Sequence, residues 1–300
     1  MATHSVQIQT VLYNSELSSL RRSLASIRSA LRANPQGAFA VGKCLVSYGD
    51  ASREPVLTRE LVDYIKDEFS EVFEFKYRFF NENTGTARGH NLLAEECGTD
   101  FIVIMNPDVV FPRNFFPFML QPFFAHGEPV GIVEARQTPA EHPKEYDSAT
   151  NETSWASGAC IMTTLQVFKQ VGGFDANSFF MYCDDVDYSW RIRAAGKRVV
   201  YQPQVPVFHP KRITNKSEWI PTEAEKYYSA EAALIMAYKW SQNRRWKMLV
   251  RLFRKSGDKN LQRAARVFSE RLAKKSLPDQ IDKKHRVSTF TGDLYAKHRF

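Results

Sequence analysis

A chain of 300 residues with 43% apolar and 25% charged side chains is long enough for one large domain and an appendage, and its composition excludes a disordered chain or a fibre. No stretch reaches the roughly 18–20 apolar residues of a membrane span, and Met1-Ala-Thr-His-Ser5 lacks the pattern of a secretory leader, so a cytosolic protein is expected. The net charge of +8 is uneven: residues 241–300 carry 17 Lys and Arg against 5 Asp and Glu, while the first 240 carry 24 against 28, so an acidic partner such as a membrane surface is expected at the C-terminal end.

Taken in chain order, residues 6–13 are β-rich, and residues 17–31 place Leu17, Leu20, Leu24, Ile27 and Leu31 at helical spacing. A strand is predicted over 39–46, a helix over 57–69, a strand over 72–79, and a helix containing 92–96 that ends near Gly98. Residues 101–105 are a short continuous apolar run, the pattern of a central parallel strand buried on both faces. This alternation predicts an α/β sheet, whose ligands bind beyond the C-terminal strand ends. Residues 137–153 are polar, with Pro139 and Pro143, and read as a loop. Order returns at 159–164, then in a helix over 184–195 closed by Gly196, then in a short strand over 198–201. Beyond Pro210 the β signals stop. Residues 223–240, 244–255 and 261–274 read as helices, and 277–300 carry no clear pattern. Cys44, Cys97, Cys160 and Cys183 form no CxxC pair, which argues against a zinc knuckle or a disulfide framework.

Three clusters could carry chemistry. Asn106-Pro107-Asp108 follows the apolar strand and places a carboxylate at the sheet edge, where a hard divalent cation could bridge it to diphosphate oxygens; Asn-Pro-Asp is equally good turn chemistry. Asp184, Asp185 and Asp187 sit behind the aromatic run 179–182. Helix capping accounts for one or two of them, while crowded carboxylates raise one another's pKa as a general base requires. A single histidine such as His209 is more often structural, and becomes a metal ligand only in the company of Asp108. The glycine-rich segment from Asn83 through Gly85 and Arg88 to Asn91 leads into a helix and could approach phosphate, although it is neither the Rossmann nor the P-loop fingerprint.

Together and in order, these segments resemble the inverting glycosyltransferases of family 2, with the GT-A fold. The resemblance runs from about residue 6 to residue 210. It is carried by Gly158-Ala-Cys-Ile-Met162, Val171-Gly-Gly-Phe-Asp175, Phe180-Met-Tyr-Cys-Asp-Asp-Val-Asp-Tyr-Ser-Trp-Arg191, Gly196 and His209. The Asn-Pro-Asp motif is most similar to the bacterial rhamnosyltransferase and galactofuranosyltransferase branches. The resemblance implies a Rossmann-like, mixed but mainly parallel sheet flanked by helices over residues 1–215, and a basic helical extension over 216–300. It implies Asp108 and His209 as ligands of Mn²⁺ or Mg²⁺, with Asn106 in place of the motif's first acid. It implies Asp185 as catalytic base, with Asp184 beside it. Tyr13 and Asn14 match the nucleotide-contacting end of the first strand, and Trp190 and Arg191 match a pair that is structural or faces pyrophosphate. Asn83, Gly85, Arg88 and Asn91 complete the expected donor contacts. Where the family shows Asp-Asn-Gly-Ser, Ser47-Tyr48-Gly49-Asp50 stands here, so either Asp50 takes over from Ser47 or the base is read differently.

The implied activity is transfer of a rhamnose-like or other hexose from a nucleoside diphosphate to a hydroxyl of a saccharide or lipid-linked acceptor, in bacterial surface-polysaccharide synthesis. The basic segment 241–300 is compatible with amphipathic helices at the cytoplasmic face of an anionic membrane, or with helices packed on the body. A non-catalytic sugar-nucleotide or polysaccharide binder is one alternative, and a nucleic-acid-binding protein acting through the basic tail is the other. No nucleic-acid partner is expected, because the body is acidic and no recognition motif is present.

Overall fold

The structure, a computed structural model, describes residues 3–34, 39–210 and 221–299. In chain order the first half contains β1 (His4–Leu12), α1 (Leu17–Arg32), β2 (Val41–Asp50), α2 (Arg59–Phe69), β3 (Glu74–Phe79), α3 (Gly85–Glu95), β4 (Phe101–Met105) and α4 (Phe115–Leu120). The second half contains β5 (Val130–Thr138), β6 (Cys160–Thr164), α5 (Leu165–Gln170), α6 (Asp184–Ala194), β7 (Arg198–Phe208), α7 (Glu223–Lys239), α8 (Asn243–Lys255) and α9 (Lys259–Ala273).

Among the described residues seven strands form one sheet in the order β3-β2-β1-β4-β6-β5-β7. All neighbours run parallel except β6, which is antiparallel to both β4 and β5. The sheet is buried on both faces, which is why β4 is apolar throughout and all five of its residues are buried. On one face Leu20, Leu24 and Ile27 of α1, and Val62, Ile65 and Phe69 of α2, cover Val6, Ile8, Val46, Val103 and Met105. Both helices put these residues at i, i+3/i+4 and i+7, so one stripe meets the sheet. On the other face Ala87, Val167, Tyr188 and Ile192 from α3, α5 and α6 cover Ile102, Ile104 and Ile161.

Several boundaries differ from the reading above. β2 continues four residues past Val46, so Ser47 lies inside the strand and Asp50 ends it. β7 runs to Phe208, despite Pro203 and Pro206. It is an edge strand, and its register jumps from Ala135↔Gln202 to Arg136↔Pro206, leaving residues 203–205 out of the ladder. β5 has no clean alternation because its inward Glu134 is charged, and its partner Lys144 arrives from the polar loop. α4 and α5 are six residues each, too short for a periodic signal.

The C-terminal helices do not stand apart. Val186 and Trp190 of α6 share a core with Tyr227, Leu234, Ile235, Trp240, Leu249, Val250 and Phe268. The Trp190 and Trp240 rings meet edge to face at 5.1 Å. α7 begins with a capping box between Thr222 and Glu225 and ends with Lys239, whose Nζ lies 2.7 Å from both Asp175 Oδ2 and Asp187 Oδ1. The boundary expected between residues 215 and 216 lies outside the described residues. Among the described residues no helix is long and apolar enough to cross a membrane.

Candidate active site

The turn after β4 and the end of β7 are brought together by main-chain pairing. Val110 and Phe208 exchange both backbone hydrogen bonds, at 2.9 and 3.0 Å, and the His209 N–H donates to Thr138 O at 2.8 Å. His209 Nε2 then lies 3.6 Å from Asp108 Oδ1 and 3.1 Å from the Asn106 amide nitrogen, while Nδ1 is 3.1 Å from Gln137 Oε1. The Gln137 oxygen can only accept, so Nδ1 carries the ring proton and the Nε2 lone pair accepts from the Asn106 amide N–H, beside Asp108. Burial pushes the Asp108 carboxyl up, and the adjacent His209 opposes this. Among the described residues no group of three or more His, Cys, Asp or Glu could hold a metal by protein alone. An acid and an oriented imidazole do fit a Mn²⁺ or Mg²⁺ that takes its remaining ligands from diphosphate and water.

The acid cluster divides into two jobs. Tyr182 and Cys183 are successive non-glycine residues with φ of 66° and 56°, a left-handed turn that costs roughly 1–2 kcal/mol per residue and swings the chain into α6. Asp184 then faces α3, where the Thr86 hydroxyl donates to its Oδ2 at 3.1 Å. Asp185 Oδ2 accepts from the Gly158 N–H and its Oδ1 from the Val186 N–H, both at 2.8 Å. Burial holds both carboxyls above the usual carboxylate range, and for Asp184 the neighbouring Asp185 adds to it. Asp187 is fully buried and points away, into Arg191 Nε at 2.8 Å, Lys239 Nζ at 2.7 Å and the Trp240 indole N–H at 3.0 Å. Its place is structural.

Several residues expected at a donor are engaged elsewhere. Asp50 is fully buried, and its carboxylate accepts from the Ser52 N–H (2.9 Å), the Val56 N–H (2.7 Å) and the Tyr77 hydroxyl (2.5 Å). It braces the loop after β2. Ser52 Oγ in turn accepts from the Asn14 N–H at 2.7 Å, so the brace reaches the end of β1, where Tyr13 is 57% exposed. Ser47 is buried within β2. The first donors of α3 are also taken: Asn83 Oδ1 accepts from the Gly85 N–H (3.2 Å), and Phe180 O accepts from the Thr86 N–H (3.1 Å). Arg88 pairs with Glu82 at the surface (2.8 Å), and Asn91 clasps the Phe174 backbone by both its N–H and its carbonyl. Trp190 is fully buried with its indole N–H on Ser154 Oγ (3.2 Å), and Arg191 is held by Asp187 and by Val171 O. Glycine chemistry in 83–91 serves packing: Gly85 has φ +65°, and a Cβ there would meet Phe180 O at 2.3 Å. Gly85→Ala is therefore expected to destabilise the protein by at least about 1–2 kcal/mol, read as a lower thermal midpoint; an unchanged midpoint would show that the Phe180 turn yields freely.

Other contributors carried no sequence signal, because each is an ordinary polar residue until the fold pairs it. Gln137 orients His209, Thr86 holds Asp184, and the Gly158 N–H holds Asp185. Lys144 and Glu134 form a buried pair at 2.5 Å, with Lys144 Nζ 4.1 Å from the Trp155 ring centroid. The positive charge of Lys144 also works against the rise in the Asp185 pKa. From the patternless C-terminal segment, the Tyr295 hydroxyl reaches Cys183 Sγ at 3.2 Å, next to the acids.

Residues 50–189 match the description glycosyl transferase family 2. The N-acetylglucosaminyl-diphospho-decaprenol L-rhamnosyltransferase of Mycobacterium tuberculosis (strain CDC 1551 / Oshkosh) is 38% identical over 74 residues, 25% of this chain and 24% of that protein. Rhamnosyltransferase WbbL of Escherichia coli (strain K12) is 33% identical over 75 residues, 25% of this chain and 28% of that protein. The chain thus matches only about a quarter of the length of these two relatives. The crystal structure of GalNAc-T7 with UDP, GalNAc and Mn²⁺ superposes with a TM-score of 0.62 over 93% of this chain and 60% of that one, at 11% identity, a likeness of fold. With the mixed, mainly parallel sheet, the Asn-Pro-Asp edge and the acid-led α6 in place, the chain has the GT-A fold, and its residues 50–189 match glycosyl transferase family 2.

Proposed function

We propose that this chain is a metal-dependent, inverting glycosyltransferase that moves a hexose, rhamnose foremost, from a nucleoside diphosphate to a hydroxyl of a saccharide or lipid-linked saccharide. Its setting is bacterial surface-polysaccharide synthesis, at the cytoplasmic face of the membrane that holds the acceptor. One observation supports this reading above the others: consecutive residues at the start of β6 touch both halves of the site. Ala159 O accepts from the Asn106 N–H (3.0 Å), and the Gly158 N–H holds Asp185. The acid of α6 and the Asp108–His209 edge are thereby mounted on one short segment of main chain. The two rhamnosyltransferases above favour rhamnose as donor sugar.

Asp185 accepts the proton of the acceptor hydroxyl as that oxygen attacks the anomeric carbon from the face opposite the diphosphate. The bond from that carbon to the diphosphate oxygen breaks, and the configuration inverts. Gly158 and Val186 fix the Asp185 carboxylate through one N–H to each oxygen, which leaves further lone pairs for the proton. Tyr13 presents an exposed ring to the base, and Asn14 and Asn106 line the same edge. Asp108 and His209 would hold the divalent cation, which would supply Lewis-acid stabilisation of the departing diphosphate.

A donor panel tests the reading: dTDP-rhamnose, UDP-galactofuranose, UDP-galactose, UDP-glucose, UDP-N-acetylglucosamine and GDP-mannose, each with Mn²⁺, Mg²⁺ or EDTA. Selection of one donor, lost in EDTA, is the expected result. Binding of a donor without turnover on any acceptor would favour a sugar-nucleotide binder, and no binding at all would remove both. Gln137→Leu is expected to weaken Mn²⁺ binding in the presence of nucleoside diphosphate by about 10–100-fold, because the His209 ring loses the partner that orients it. Unchanged Mn²⁺ affinity by calorimetry would remove His209 from the metal site.

A further inference from the structure

The excess positive charge of residues 241–300 lies on α8 and also at exposed Lys259, Lys274, Lys275, Lys283, Lys284 and Arg286. Leu261, Phe268 and Leu272 of α9 pack with Tyr238 and Trp246, so the inner faces of α8 and α9 are consumed by the fold. One continuous stripe of that charge is the outer face of α8. That helix holds six Arg and Lys and no acid in 13 residues. Its inward side buries Leu249 and Val250, with Trp246 and Phe253 half-buried. Two of its cations are engaged: Arg245 pairs with Asp293, and Arg254 donates to Ser269. The exposed side chains Arg244, Lys247, Met248, Arg251, Leu252 and Lys255 fall at i, i+3, i+4, i+7, i+8 and i+11, which is a single stripe.

Two features separate this stripe from an ordinary solvated face. The first is its lack of counter-charge: among the described residues Arg244, Lys247, Arg251 and Lys255 form no ion pair, whereas the outer face of α9 pairs Arg266 with Glu270 at 3.1 Å. The second is the pair at its centre. Met248 is 46% exposed and Leu252 56%, and both are among the few large apolar side chains this protein leaves in water. Cations flanking exposed apolar side chains along a helix match a bilayer interface, where the apolar groups enter the acyl boundary and the cations meet anionic headgroups. Single-stranded nucleic acid asks instead for aromatic stacking surfaces, and the aromatics of α8, Trp246 and Phe253, face inward.

We propose that the outer face of α8 (Arg244, Lys247, Met248, Arg251, Leu252, Lys255) docks the protein on an anionic lipid surface. The inference rests on α8 alone and not on the sugar chemistry, so vesicle binding and transfer to a soluble acceptor are read separately. Flotation of the full chain with phosphatidylcholine vesicles, with and without phosphatidylglycerol, tests it. Binding is expected only with the anionic lipid, and should weaken as salt shortens the screening length. Lys247→Glu with Arg251→Glu is expected to reduce partitioning by at least about 25-fold, from roughly fivefold per cation removed. Met248→Ser with Leu252→Ser is expected to reduce it several-fold at unchanged charge. Lys66→Glu with Lys76→Glu, the same charge change far along the chain, should leave binding intact. These side chains are exposed, so an unchanged thermal midpoint is the folding control. Absence of vesicle binding at low salt, equal loss in the Lys66/Lys76 variant, or salt-dependent binding to oligonucleotides but not to vesicles would each overturn the proposal.

Discussion

Asp185→Asn is expected to lower sugar transfer by about 10²–10⁴-fold while leaving nucleotide-sugar binding near its original strength. The amide cannot accept the acceptor's proton, yet it keeps the size and shape of the carboxylate. Its single oxygen still satisfies one of the Gly158 and Val186 N–H groups, and the other loses its acceptor, at about 1–3 kcal/mol of stability. A melt of the variant therefore accompanies the assay, and only a folded variant that binds donor is read. Turnover close to that of the unchanged protein would remove Asp185 as the base. The pH profile gives a second check. Burial raises the Asp185 pKa, so the ionised form that accepts the proton is lost, as pH falls, at a higher pH than for an ordinary aspartate. The acid limb of kcat/KM should accordingly lie above the usual carboxylate range.

The second large effect concerns stability. Asp187 is fully buried between two cations and the Trp240 indole, and its removal leaves Arg191 without its carboxylate and Lys239 with Asp175 alone. Breaking a buried pair in this way typically costs about 3–5 kcal/mol, so Asp187→Ala is expected to lower the thermal midpoint by roughly 10 °C. Because Lys239 and Trp240 end α7, the loss should loosen the C-terminal helices first, visible as faster proteolysis after residue 240 than in the sheet. A midpoint within a degree of the original would show that the apolar core around Trp190 holds α7–α9 without the ionic clasp.

The two aspartates lie two residues apart in the same motif, and their different fates show where reading residues in order stops being informative. Three acids in four residues pointed to crowded carboxylates at a base. In the structure Asp184 and Asp185 follow the left-handed turn at 182–183 and face α3 and β6, while Asp187, a half-turn on, faces α7. Spacing along a helix states which face a residue occupies, and not what that face meets. The glycine-rich segment is a parallel case: its composition suited phosphate, and in the fold Asn83 and Phe180 take the Gly85 and Thr86 N–H groups.

Local chemistry sufficed for what depends on neighbours in the chain. The run 101–105 had the pattern of a buried strand, Asn106-Pro107-Asp108 suited a turn at its end, and the alternation of strands and helices through residue 105 implied the α/β sheet. α8 and α9 were legible for the same reason, since each repeats its apolar stripe for three turns or more, whereas α7 buries residues on several faces, Leu234 to Ala237 in succession. Tertiary structure alone decided what depends on residues distant in the chain. Glu134 is compatible with a strand interior only because Lys144 reaches it, and the brace that Asp50 makes with the nearby Ser52 and Val56 N–H groups is completed by Tyr77, on the next strand. His209 is oriented only because the bulge in β7 sets Phe208 against Val110. A polar side chain has many acceptable partners, and its free energy is settled by the one that is present when water is excluded; that choice belongs to the packed molecule and not to the order of its residues.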